Sequence, residues 1–72
     1  MKRPFSQLLK SDILRTARSA ASTLGVINIP LLAEQVRKRN EAENIALEDI
    51  EYELLQQAQL LNVVMEFDAG RR

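Results

Sequence analysis

The stretch "VINIPLLAEQV", Val26 to Val36, changes secondary-structure type within itself, and the position of that change decides the fold. Val26, Ile27 and Ile29 are three β-branched residues interrupted by Asn28, too short a run for a helix and suited to a strand. Pro30 has no backbone N–H to offer a neighbouring strand, yet its fixed φ suits the first turn of a helix. The residues that follow recur at helical spacing, with Leu32, Ala33 and Val36 on one face. A strand therefore runs directly into a helix, which ends in the cations Arg37, Lys38 and Arg39.

Beyond it, "NEAEN" (residues 40–44) is polar and reads as a loop. A third helix follows, in which Leu47, Ile50, Leu54, Ala58 and Leu61 form a narrow apolar stripe flanked by Leu55. Asp49, Glu53, Gln56 and Leu60 are assigned to the opposite face, with Tyr52 between the acidic and apolar sides. Asn62 ends the helix. "VVMEFD" then alternates as a strand, with Val63, Met65 and Phe67 on one side and Val64, Glu66 and Asp68 on the other. Segments 26–29 and 63–68 are expected to pair as a short two-stranded antiparallel sheet.

Upstream, "SDILRTARSAASTLG" (residues 11–25) reads as a helix with Ser11 as N-cap, Asp12 in the first turn and Gly25 as the stop. Ile13, Ala17, Ala20 and Leu24 share its inner stripe, flanked by Leu14 and Ala21; Arg15, Arg18, Ser19 and Ser22 face outward. Phe5, Leu8 and Leu9 form either an earlier turn of the same helix or a separate short one. The expected organisation is an N-terminal arm or short helix at 1–10, one compact domain at 11–68 and a frayed tail at 69–72. The fold class is α+β and mostly helical, with three to four helices.

The order helix, short strand, helix, helix, strand resembles a winged-helix domain. The resemblance rests on "INIPLLAEQV", a strand leading into the second helix, and on "LEDIEYELLQQAQLLNVVMEF", a long third helix leading to a strand. It implies a DNA-associated regulator with the third helix in the major groove. The sequence departs from that pattern twice. Little chain follows Phe67 to build a wing, and the third helix carries Glu48, Asp49, Glu51 and Glu53 where a DNA reader uses Arg, Lys, Asn or Gln.

Composition narrows the function classes. Seventy-two residues make one domain at most, and a chain of this size buries only ~60% of its unfolded surface. There is no Cys, hence no disulfide or thiolate metal site, and no His, the commonest zinc ligand and general base. The two glycines stand apart, so there is no phosphate-cradling loop, and no serine has an acid–base relay spaced near it. These features argue against an enzyme and imply no cofactor, no metal and no small-molecule substrate. No apolar run approaches the ~20 residues of a membrane span, so no membrane partner is expected. The lack of Cys fits a reducing compartment, and a cytoplasmic location is expected. Residues 1–25, rich in cations and hydroxyls, also have the composition of an organellar transit peptide.

The formal charge is zero but unevenly spread. Residues 1–40 carry eight cations against Asp12 and Glu34, and residues 41–68 carry eight acids and no cation. Part of this is what helix ends favour: cations at the end of the second helix, acids at the start of the third, each worth about 0.3–1 kcal/mol. The remainder supports two binding readings. The first is a protein partner, or a second copy, on the third-helix face of Asp49, Glu53, Gln56 and Leu60 with Tyr52 at its rim. The alternative is nucleic acid on a basic patch of Arg15, Arg18, Arg37, Lys38 and Arg39.

Overall fold

The computed structural model describes residues 5–68; the expected tail at 69–72 and the first four residues of the expected arm lie outside them. In chain order the elements are α1 (Gln7–Leu24), β1 (Val26–Asn28), α2 (Ile29–Arg39), a 3-10 turn (Glu41–Glu43), α3 (Leu47–Leu61) and β2 (Val64–Glu66). The described residues are mostly helical, with three α-helices and a two-stranded sheet.

The switch falls one residue before the expected place: Ile29, assigned to the strand, is the first residue of α2, and Pro30 sits in that helix's first turn. β1 passes into α2 without a loop, and Asn28 does two jobs at the junction. Its Oδ1 accepts from the Leu31 amide at 3.2 Å, capping α2, while its backbone is paired with Glu66 of β2. The residue that interrupts the β-branched run is thus the N-cap of the next helix.

α1 begins one turn and more before the expected site. Ser6, not Ser11, is the N-cap, and its Oγ accepts from the Leu9 amide at 3.1 Å. The same hydroxyl donates to Glu43 Oε2 at 2.6 Å, which ties the start of α1 to the α2–α3 connection. Of the two openings considered for Phe5, Leu8 and Leu9, the continuous helix is the one formed from Gln7 onward. Leu9 is fully buried, whereas Leu8 is exposed. At the other end Leu24 is 71% exposed rather than in the inner stripe, because α1 ends there at Gly25, in the left-handed region at φ 72°.

The sheet corrects the expected antiparallel pairing. β1 and β2 are parallel, with Val26 opposite Val64, Ile27 opposite Met65 and Asn28 opposite Glu66. Parallel strands need a crossover of a dozen or more residues. Here α2 and α3 supply it, and alternation within a strand sets its faces without setting its direction. Val63 and Met65 pack on the core as expected. Phe67 follows the last paired residue and is 64% exposed instead of joining them.

Three helices meet over one core: Leu9, Ile13, Ala17 and Ala20 of α1; Ile29, Ala33 and Val36 of α2; Ile50, Leu54 and Ala58 of α3, with Ile27 and Ile45 between them. Four of these are alanines, which let the helix backbones approach closely and leave Leu9, Ile27, Ile50 and Leu54 to fill the centre. Each such large side chain contributes about 1.5–3 kcal/mol by burial.

Candidate interaction surfaces

Two of the basic residues, Arg15 and Arg39, converge on one carboxylate. Asp12 is the only buried charged residue among those described. Arg39 grips it with a two-pronged contact, Nε to Oδ2 at 3.0 Å and a terminal nitrogen to Oδ1 at 2.9 Å. Arg15 donates to Oδ1 at 3.0 Å, the Thr16 hydroxyl to Oδ1 at 3.2 Å and the Asn40 amide to Oδ2 at 2.8 Å. Asn40 also donates to the Val36 carbonyl at 2.8 Å, and Arg39 to Thr16 Oγ1 at 2.7 Å. The end of α2 is thereby fastened to the second turn of α1.

Burial of Asp12 opposes its charged form. Hydrogen bonds from Arg39, Asn40 and Thr16, with the Arg39 charge, outweigh that penalty and hold the carboxyl below its ordinary value of 3.8. Two-pronged arginine–carboxylate contacts are among the stronger polar interactions in proteins. From sequence, Asp12 reads only as a first-turn anion. Its partner lies 27 residues away, and no local pattern marks that pairing.

This arrangement divides the sequence-assigned basic patch. Arg15 and Arg39 converge on Asp12 and line the cleft between α1 and α2, a depression of about 580 Å³ whose walls include Ala20, Leu24 and Leu32. Arg18 continues that surface along the outside of α1 beside Arg15. Arg37 lies apart, facing a different depression with Leu9, Asn40 and Asn44, and pairs with Glu34 at 3.0 Å. Lys38 is exposed. The structure therefore brings Arg15, Arg18 and Arg39 together, and the arginine with the most rigid geometry is committed to the fold.

The outer face of α3 is turned relative to the sequence assignment. Ile50, Leu54 and Ala58 point inward as expected, with Leu47, Leu55 and Leu61 packed at the core's edge. At about 100° per residue, Tyr52 and Gln56 stand nearest to the point opposite Leu54. Both are exposed, and Gln56 Nε2 donates to the Tyr52 hydroxyl at 3.2 Å. Leu60 completes this outward line at 78% exposure. Asp49 and Glu53 are half-buried; Glu53 and Gln57 face Phe5, Lys10 and Leu14, on the α1 side. Tyr52 is thus central to the exposed face rather than at its rim, and the acids belong to its flanks.

The other flank of α3 holds residues that no sequence pattern united. Leu55, Glu48 and Glu51 border a groove of about 420 Å³ together with Ile29, Pro30, Tyr52 and Phe67. Among the described residues no group of three or more His, Cys, Asp or Glu side chains is placed to hold a metal ion, and no helix is long and apolar enough to cross a membrane. Comparison with protein families, with curated proteins and with solved structures finds no match to this chain.

Proposed function

We propose that this chain is a non-enzymatic interaction module that binds a protein partner through the outward side of α3. The observation that carries this reading is the exposed line of Tyr52, Gln56 and Leu60 on a helix whose opposite side is fully committed to the core. Aromatic and large aliphatic side chains on such a face supply the anchors that dominate protein–protein contacts. The flanking carboxylates favour a partner of opposite charge and hasten its encounter. The absence of His and Cys supports the non-enzymatic assignment.

The test is affinity capture from cells that express the protein, with the wild-type chain, Leu60→Glu and Tyr52→Ala as parallel baits. A partner held through this face is lost from both variants, with affinity falling about tenfold or more. Circular dichroism confirms that each bait is folded. Identical capture by all three baits would remove the α3 face from consideration.

A second reading, a DNA-associated regulator of winged-helix type, draws on the continuous surface of Arg15, Arg18 and Arg39 with the exposed Lys38. It requires Arg15 and Arg39 to serve phosphate while holding Asp12. Amide shifts on titration with a generic DNA duplex separate the two readings. Shifts at Arg15, Arg18 and Lys38 that vanish between about 50 and 200 mM salt support DNA; no shifts at the lower salt dismiss it.

A further inference from the structure

The groove beside α3 lies at the ends of both strands, where β1 enters α2 and where the chain leaves β2. Ile29, 3% exposed, lies at its base, and the half-buried Pro30 and Leu55 line it. Tyr52 and Phe67 complete the apolar lining at 50% and 64% exposure. The chain has only one Tyr and two Phe, so two of its three aromatic residues stand exposed at this one place. Exposed aromatic side chains gathered at a concave surface are the kind of anchor that dominates protein–protein contacts.

Glu48 and Glu51 complete the lining. Neither takes part in a hydrogen bond or ion pair among the described residues, and α3 itself contains no Lys or Arg to neutralise them. An apolar trough bordered by two open carboxylates complements a segment that places an apolar side chain between cations. The volume, about 420 Å³, lies within the ~300–1,000 Å³ range of pockets that take small ligands, so a large apolar side chain fits.

We propose that this groove is the docking site for a peptide segment of the protein partner, with an apolar anchor flanked by Lys or Arg. The anchor lies between Tyr52 and Phe67 over Ile29 and Leu55, and the flanking cations meet Glu48 and Glu51. This deepens the proposed function and rests on it, because Tyr52 belongs both to the outward line of α3 and to the groove.

The experiment is a titration of the full-length ¹⁵N-labelled chain with blocked pentapeptides Lys-Lys-X-Lys-Lys, where X is Leu, Met, Phe or Trp. At least one peptide is expected to shift Ile29, Tyr52, Leu55 and Phe67 amides saturably, with a dissociation constant of about 1 mM or tighter. The double variant Glu48→Gln, Glu51→Gln is expected to weaken binding about three- to tenfold. Three results would overturn the proposal. One is no groove shift with any peptide at about 2 mM. Another is equal binding of Glu-X-Glu counterparts, and the third is groove shifts that depend on protein concentration alone, which would assign it to a second copy. If the peptides fail while capture still depends on Leu60, the α3 reading stands and only the groove is withdrawn.

Discussion

Asp12 shows how a residue's meaning depends on who reaches it. Its local role, an anion near a helix start, is slight; its tertiary role is to hold Arg39 and Asn40 against α1. Replacement by Ala leaves Arg39 able to regain water, because its side chain is 45% exposed. The expected cost is therefore that of charge-assisted hydrogen bonds, about 1.5–3 kcal/mol, read from urea denaturation. The pH dependence follows from the lowered carboxyl titration. The unfolded chain takes up the proton at a higher pH than the folded one, so the contribution is complete above about pH 4 and is lost as pH falls through the folded value. Asp12→Asn is expected to abolish that part of the acid dependence, and an unchanged slope below pH 4 would argue against the node. Arg39→Lys, which keeps the charge without the fork, tests the two-pronged contact by the same measurement.

At the scale of elements, the helix ends explain their own boundaries. α1 and α2 have side-chain caps in Ser6 and Asn28, and the left-handed residues Gly25 and Asn62 close α1 and α3. α3 is the exception. Its N-cap is Ala46, in an extended conformation with no side-chain bond to the first turn. Ala46→Ser is expected to stabilise the protein by about 0.5–1 kcal/mol, a rise seen in its thermal midpoint. At Gly25 a Cβ would meet no atom within 4 Å, so strain from the positive φ is the whole penalty. Gly25→Ala is expected to cost about 1–2 kcal/mol by the same assay. A thermal midpoint unmoved by either change would mean that these ends fray in solution.

At the scale of the molecule, a core this small tolerates little. Domains below about 70–80 residues rarely hold more than about 3–5 kcal/mol from a single hydrophobic core. Leu54 is fully buried, and removing a leucine side chain from such a site costs about 2–5 kcal/mol. Leu54→Ala is therefore expected to remove most of that margin, seen as a much lower melting midpoint of the helical circular dichroism, whereas Leu54→Met keeps the midpoint close to that of the parent. A protein partner that covers the α3 side would stabilise the folded form by mass action, so a melting midpoint that rises with partner concentration joins the fold to the proposed function.

Most elements and most of their inner faces were legible in the amino-acid order alone, the first turn of α1 and Leu24 excepted. Pro30 placed the strand-to-helix switch to within a residue, and Leu47, Ile50, Leu54 and Ala58 placed α3. These are local properties, set by backbone geometry and by neighbours three or four residues apart. What needed the tertiary structure was the relation between elements. The strands run parallel because α2 and α3 cross between them, Asp12 is buried because Arg39 arrives from 27 residues away, and Glu53 is half-buried because α1 covers its flank of α3. Phe67 comes to share a groove with Pro30 and Tyr52 through the pairing of β2 with β1. Periodicity states which side of an element is apolar; only packing in space decides which neighbour covers its flanks, and so what remains exposed for a partner.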